Sequence, residues 1–313
     1  MASTASFRKD LPRGVSVDHD GADTRVADPF GIKLDAYQMV PRTGSRTFNV
    51  RISGEVRIEV FSILGAEISI DGFPPAKSQV LKSAAPSERT FTIHGRGECL
   101  TTIFALDENR TILDRMAISI KNERPVTYNL HRLGDSLRVT RRTIGQLRSL
   151  MTTVEDIYLK QASVRLVRSR ENEKLLIKEN LGDPIDLSNP DDSLLSAIST
   201  NFQLALKKRL SVLGFLTENL NLVSTWRLRN GRGDSLAGFT PPELVTVCIC
   251  EAKDDPVAEA TTYAHEMGHA LGLRHPGHFP SEMMNDGGVD SFRMIRSDID
   301  TLNPSGTKGL PQR

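Results

Sequence analysis

The chain has 313 residues, and its 40 lysine and arginine residues against 39 aspartate and glutamate residues leave a formal net charge of +1. This length accommodates about two domains of ordinary size. The balanced charge predicts no nucleic-acid partner and no attraction to an anionic membrane surface. Because no run of about 18 apolar residues occurs, the sequence also predicts no membrane span.

Cysteine is scarce and odd in number, with Cys99, Cys248 and Cys250 in the whole chain. Cys248 and Cys250 stand two positions apart, which places both on one face of a strand. A disulfide framework is therefore not expected. We interpret the three cysteines as core residues.

Residues 1–45 are rich in aspartate, arginine, glycine and serine and show little apolar periodicity. This composition predicts a flexible N-terminal arm. The first residues lack the apolar stretch of a secretory signal, so no signal peptide is predicted. We expect a soluble protein whose compartment is left open. Export, if it occurs, would follow a route that needs no such signal or would use a signal that has been removed from this sequence.

Residues 46–122 contain short segments in which apolar and polar residues alternate, the pattern of half-buried strands. Two of these segments, 48–52 and 56–60, are separated by the turn signal Ser53-Gly54. About seven strands at this spacing predict a small all-β sandwich of immunoglobulin-like architecture. We interpret it as an accessory domain that binds a protein partner or positions a substrate.

After the break at 122–125, helical patterns alternate with strands, and the sequence predicts an α+β domain over 126–313. The predicted elements are a strand over 126–131, a helix over 137–159, a strand over 161–170, a helix from a cap at Asp191-Asp192 to a stop at Gly214, and strands over 219–228 and 244–251. The chain contains no internal repeat or low-complexity tract.

The segment that carries chemistry begins at Asp255-Pro256, an N-cap followed by proline at the first helical position. A helix from this point places His265 and His269 four residues apart on one face, so both imidazoles can reach one metal ion. Glu266 lies about 100° around the helix from His265. It borders the metal without being an obvious ligand.

Gly272 can take the left-handed conformation that ends a helix, and the resulting turn can bring back His275 as a third ligand. Three neutral imidazoles leave one position of Zn²⁺ open to water, which is typical of a catalytic zinc site. Glu266 would accept the water proton. Two alternatives for the third ligand are the loop histidine His278 and the carboxylate of Glu282. The non-functional interpretation is a set of ordinary histidines on a half-buried helix.

This segment resembles the metzincin metallopeptidases, whose pattern H-E-x-x-H-x-x-G-x-x-H is matched at His265, Glu266, His269, Gly272 and His275. The resemblance covers residues from about 126 to 313 and implies a zinc-dependent endopeptidase with a metzincin-like catalytic domain. It does not extend to the first 125 residues.

The resemblance also implies a methionine in a tight turn beneath the metal, called the Met-turn, and Met283 or Met284 would take this role, with Met284 preferred. In this family a substrate resembles an added antiparallel strand at the sheet edge, for which 236–239 is the candidate. The segment after His275 is similar to serralysins and the short spacing to the methionines is similar to matrixins. No tyrosine follows the methionines, and the subfamily is left unassigned.

Three functional hypotheses follow. The first is a zinc-dependent endopeptidase that acts on protein or peptide substrates with Glu266 as general base. The second is a catalytically silent zinc-binding or interaction module, against which the presence of Glu266 argues because metal binding alone does not need it. The third is an exported protease effector or toxin that is targeted by its N-terminal domain.

Overall fold

A computed structural model describes residues 3–7, 37–61, 65–70, 73–187, 201–215, 219–241, 245–251, 255–275, 283–284, 294 and 296–305. The fold is of the mixed α+β type, mostly strands with few helices. The chain separates into two compact units, which are Met1–Arg124 with Leu159–Val164 and Arg293–Arg313, and Pro125–Tyr158 with Arg165–Phe292. In the part of the chain that is described, no helix is both long and apolar enough to cross a membrane.

The first unit contains a seven-stranded sheet. Its strands are β1 (Thr4–Phe7), β2 (Tyr37–Pro41), β3 (Ser45–Phe61), β4 (Ala66–Ser69), β5 (Ser78–Gly95), β6 (Cys99–Leu106) and β7 (Ile112–Lys121). Their order is β2-β7-β6-β3-β5-β4, with β1 paired to β3. All pairings are antiparallel except that of β2 with β7. The unit is therefore all-β over these strands, and its immunoglobulin-like arrangement stays a prediction.

Strand β3 is continuous where the sequence predicts a turn between two shorter strands. Its register against β5 shifts between Ile52 and Gly54, and Gly54 has a φ of 81°. A glycine with positive φ accommodates the extra residue of a β-bulge without ending the strand. The predicted turn at Ser53-Gly54 is therefore a bulge, and the alternating residues on both sides of it face one core.

Two strands of this sheet come from the range that the sequence analysis assigns to a flexible arm. Phe7 of β1 and Met39 and Val40 of β2 are buried. Such short strands carry too few residues to show a period, and they are stabilised here by pairing with β3 and β7. The remainder of the predicted arm, 8–36, lies outside the described residues.

The C-terminal segment belongs to the first unit, whereas the sequence analysis includes it in the second domain. It contains helix α4 (Arg296–Leu302). The Lys121 ammonium, completely buried, lies 2.9 Å from Oδ1 of Asp300 and donates to the carbonyls of Asn303 and Ser305 at 2.6 and 2.7 Å. All three ammonium protons thus have an acceptor, which makes the buried charge tolerable.

The second unit contains a five-stranded sheet of order β14-β15-β11-β8-β9 and a three-stranded sheet of order β10-β12-β13. The elements are β8 (Arg124–Gly134), α1 (Ile144–Ala162), β9 (Val164–Leu176), β10 (Ile185–Asp186), α2 (Asn201–Val212), β11 (Leu220–Thr225), β12 (Leu228–Arg229), β13 (Ser235–Leu236), β14 (Gly238–Phe239), β15 (Thr246–Cys250) and α3 (Pro256–Ala270). The first residues of β8 and β9 and the last turn of α1 are assigned to the first unit. Strands β8, β11 and β15 are parallel, and β14 pairs antiparallel with β15.

Helix α1 begins seven residues later than the predicted helix. Oδ1 of Asp135 accepts the amides of Leu137 and Arg138, which fixes a turn after β8. The helix then starts at a capping box, in which the amides of Thr143 and Gln146 each donate to the other residue's side chain at 2.9 and 3.2 Å. The apolar period alone could not place this boundary.

Helix α2 ends near the predicted stop, because Gly214 has a φ of 69°. The predicted cap at Asp191-Asp192 lies outside the described residues. The predicted strands over 219–228 and 244–251 correspond to β11 and β15.

Candidate metal centre

Helix α3 begins where the sequence predicts it. Oδ1 of Asp255 accepts the amides of Val257 and Ala258 at 3.1 and 3.0 Å, and Pro256 opens the helix. These bonds satisfy amide donors that a helix start otherwise leaves unpaired. His265 and His269 therefore lie one turn apart near the C-terminal end of a helix whose start is fixed.

The end of α3 is a Schellman motif. The amide of Gly272 donates to the carbonyl of His269 at 3.0 Å, and the amide of Leu273 donates to the carbonyl of Gly268 at 2.8 Å. The φ of Gly272 is 102°, in the region that favours glycine over residues with a Cβ. The chain reverses at this residue and returns His275 to the helix end.

The three histidines converge through their Nε2 atoms. Nε2 of His265 lies 3.1 Å from Nε2 of His269 and from that of His275, and the last two are 2.8 Å apart. Tetrahedral zinc with Zn–N bonds of about 2.0–2.1 Å would separate its nitrogen ligands by about 3.3 Å. The structure thus brings together a group of three imidazoles able to hold a metal ion, and the donor set and spacing fit zinc.

Two of the imidazoles are oriented by backbone carbonyls. Nδ1 of His265 lies 2.7 Å from the carbonyl oxygen of Met283, and Nδ1 of His269 lies 3.1 Å from that of Leu273. A carbonyl only accepts, so these contacts assign the proton to Nδ1 and leave the Nε2 lone pair toward the centre of the group. Bonds of this kind fix tautomer and ring orientation at metal sites.

Glu266 lies next to this group and is held by residues from outside its helix. Oγ1 of Thr240 donates to its Oε2 at 2.6 Å, and also lies 3.0 Å from its carbonyl oxygen. Burial raises the pKa of Glu266, and the Thr240 hydrogen bond and the nearby His269 oppose this effect.

Strand β14 passes directly beside the Glu266 carboxylate. A Cβ placed on Gly238 would lie 2.7 Å from Cγ and 3.0 Å from Oε1 of Glu266, so a larger residue here would collide with the side chain. Because β14 stands at one end of the strand order, the candidate edge 236–239 includes the outermost strand of the described sheet. It runs antiparallel to β15, and its pairing with a substrate stays a prediction.

The two candidate Met-turn residues are both buried, and they contribute differently. Met283 supplies the carbonyl that orients His265. Met284 packs against α3 at Gly268, where the helix has no side chain. A Cβ on Gly268 would lie 2.6 Å from the sulfur of Met284. The residues that follow these methionines, 285–287, and the alternative ligands His278 and Glu282 lie outside the described residues.

Sequence reasoning missed Thr240 and Gly268, and it included Gly238 in the candidate edge without its contact to Glu266. Thr240 and Gly238 lie 26 and 28 positions before Glu266 in the chain, and no local periodicity predicts a contact over that separation. Gly268 lies inside the motif, where glycine in a helix is unfavourable by about 1 kcal/mol. The presence of glycine in spite of this penalty was the signal, within the sequence, that another side chain approaches the helix closely at position 268.

Cys248 is a core residue of its strand, as predicted, whereas Cys99 and Cys250 are half-buried and pack against the cores of their units. Cys248 is fully buried, and burial raises the pKa of its thiol. Cys250 donates to the carbonyl of Leu236 at 3.0 Å, and burial raises its pKa to about 11. Both thiols are therefore protonated at neutral pH and poor nucleophiles.

Comparison with known proteins gives limited information. No family model matches the chain, and no curated protein matches it. Among solved structures, archaemetzincin from Methanopyrus kandleri is 13% identical over 60% of this chain and 90% of its own, with a TM-score of 0.33. Domains 4 and 5 of the S-layer protein SbsC are 19% identical over 26% of this chain and 40% of their own, with a TM-score of 0.20.

The secreted serine protease VesC from Vibrio cholerae is 13% identical over 29% of this chain and 22% of its own, also with a TM-score of 0.20. All three scores are below 0.5, so none of these likenesses carries an argument about activity. The functional conclusion therefore depends on the geometry of the site.

Proposed function

We propose that the chain is a zinc-dependent endopeptidase of the metzincin type, with His265, His269 and His275 as metal ligands and Glu266 as general base. The observation that carries the proposal is the convergence of three Nε2 atoms within 2.8–3.1 Å beside the half-buried carboxylate of Glu266. Four residues from other segments, Thr240, Gly238, Met283 and Met284, make hydrogen bonds or packing contacts with this part of α3. Histidines that only lie on a protein surface do not need such contacts.

A zinc ion held by these histidines would polarise a substrate carbonyl and lower the pKa of a water molecule at its open position. Glu266 would accept a proton from the attacking water and return it to the leaving amine. The Thr240 hydroxyl would keep the carboxylate in one orientation during both transfers.

The edge strand β14 supports a peptide as the substrate. An extended peptide could pair with its backbone as an additional antiparallel strand, and Gly238 would then bring the scissile bond close to Glu266. Pairing with the backbone does not select particular side chains of the substrate. This suits an endopeptidase that acts on unfolded segments. In this proposal the first unit serves as an accessory domain for a protein partner.

The decisive experiment combines metal analysis with cleavage assays on the purified full chain. We expect about one zinc ion per molecule, cleavage of unfolded polypeptide, and loss of cleavage with a chelator. Glu266→Gln should keep the zinc and lower the cleavage rate by about 100-fold or more. Glu173→Gln, which changes an exposed carboxylate of the same unit, is the control.

Unchanged cleavage in Glu266→Gln would contradict the assigned base. Zinc binding by the unmodified chain without cleavage of a broad peptide library would instead favour the zinc-dependent binding module. An absence of stoichiometric zinc would overturn the ligand assignment itself.

A further inference from the structure

A cavity lies within the second unit, at the carboxyl ends of the parallel strands β8, β11 and β15. The cavity, of about 670 Å³, is lined by residues that follow β8, β11 and β15, together with Asp183. In open sheets with parallel strands, ligands bind outside the carboxyl ends of the strands. The volume is that of a small-molecule site, and none of the proposed metal ligands lines it.

The lining contains four arginines and the two carboxylates Asp183 and Glu251. Arg138 and Arg227 share Asp183, at 3.4 and 3.0 Å, and Arg138 also lies 3.6 Å from Oδ2 of the buried Asp135. These two guanidinium groups are thus matched by two carboxylates, so an anionic ligand needs another arginine as its partner.

The other two arginines follow each other after β8. Arg142 forms an ion pair with Glu259 at 2.7 Å and is held in place by it. Arg141 is exposed, and its backbone amide donates to the carboxylate of Glu251, whereas its guanidinium makes no hydrogen bond or ion pair with any residue that the structure describes. Its five donors are available to a ligand.

A buried hydroxyl in the same wall also lacks a partner. Thr140 lines the cavity and is 2% exposed, and its Oγ1 has no hydrogen-bond partner within the described ranges. An unpaired buried hydroxyl is unfavourable, so a ligand that accepts its proton is favoured.

Trp226 and Val139 provide the apolar part of the lining. The indole Nε1 donates to the carbonyl of Gly182 at 2.8 Å, and the Arg138 guanidinium lies 5.4 Å from the ring centroid. The ring is therefore held in one orientation, as a surface that can pack against the organic part of a ligand.

We infer that this cavity binds a small organic phosphate whose phosphoryl group contacts Arg141 and Thr140 and whose organic part packs beside Trp226. A phosphoryl group offers three acceptor oxygens in different directions, which suits donors that come from separate side chains. A lone inorganic phosphate would leave most of the volume unfilled. The inference does not rest on the proposed peptidase activity.

The test measures binding of phenyl phosphate to the full chain by calorimetry, with inorganic phosphate and benzoate as comparison probes at equal ionic strength. We expect phenyl phosphate to bind more tightly than either comparison probe. Arg141→Gln and, separately, Thr140→Val should each weaken its binding by about tenfold. Arg165→Gln, a change at an exposed arginine on β9 of the same unit, should leave it unchanged.

The variants also separate this cavity from the metal centre, where phosphate could contact zinc. Binding that is equal in the unmodified chain, Arg141→Gln and Thr140→Val would place the anion elsewhere and overturn the inference. Absence of binding at about 10 mM phenyl phosphate would also overturn it. If Thr140→Val fails to fold, the Arg141→Gln comparison decides alone, because that side chain is exposed.

Discussion

The hydroxyl of Thr240 donates a 2.6 Å hydrogen bond to Oε2 of Glu266, the carboxylate next to the three converging histidines. Thr240 directly follows the edge strand β14, whereas Glu266 belongs to helix α3. The bond therefore joins the proposed substrate edge to the proposed general base. A single oriented carboxylate is what proton transfer at a fixed distance requires.

Removing this hydroxyl should slow catalysis while leaving metal binding unchanged. Thr240→Val keeps the shape of the side chain but no longer orients the carboxylate, so we expect kcat to fall by about tenfold with KM and zinc content nearly unchanged. Thr240→Ser retains the hydroxyl and should restore most of the rate. Equal kcat in Thr240→Val and the unmodified chain would show that the bond does not position Glu266.

Replacing the glycine that ends α3 should weaken metal binding. Gly272→Ala places a Cβ at a φ of 102°, which should destabilise the turn to His275 by about 1 kcal/mol or more. Zinc affinity, measured by competition with a chromogenic chelator, should therefore fall by about fivefold or more. The control is Gly233→Ala, at a φ of 87° in a loop with no residue of the metal site. Equal losses in both variants would contradict a specific role for the turn.

The buried Lys121 should contribute strongly to the stability of the first unit. Lys121→Met removes the donor that Asp300, Asn303 and Ser305 share, and we expect a loss of about 3 kcal/mol in the free energy of unfolding. Lys82→Met breaks an exposed ion pair with Glu55 and should change stability by less than about 1 kcal/mol. Denaturant titration measures both, and similar values would show that burial of the ammonium is not what matters.

His131 should make the second unit sensitive to acid. Burial lowers its pKa to about 4, while its hydrogen bond to Asn221 opposes this shift. Because the unfolded chain takes up the proton near pH 6.5 and the folded chain near pH 4, stability should be full above pH 6.5 and fall as the pH drops toward 4. The fall amounts to about 3 kcal/mol.

The measurement compares unfolding free energies of the unmodified chain and His131→Gln between pH 7 and pH 4. All other ionisable groups are the same in both proteins, so their contribution is common to the two curves. The difference between the curves should shrink on acidification, because the variant lacks the histidine that is protonated only after unfolding. A difference that stays constant with pH would contradict the prediction.

The candidate site was largely predictable because its central part is local. His265, Glu266 and His269 lie on one helix, and the Asp255-Pro256 start and the Gly272 stop act through hydrogen bonds within a few residues. Local geometry of this kind follows from sequence spacing alone.

Prediction was weaker where several short signals compete. The glycine at position 54 indicates a turn by its type, and only pairing of β3 with β5 on both sides decides that it is a bulge. The start of α1 was set by the Asp135 turn and the Thr143 capping box, which the apolar period of the helix does not report.

The sequence by itself determined which three imidazoles come together, since helix pitch and a glycine turn place them within a short stretch of chain. Tertiary structure alone decided what surrounds them: Thr240 on Glu266, the Met283 carbonyl on His265, and the arginine-lined cavity at the carboxyl ends of three parallel strands. These groups are far apart along the chain. Only the packing of strands and helices fixes their distances, and no local pattern encodes it.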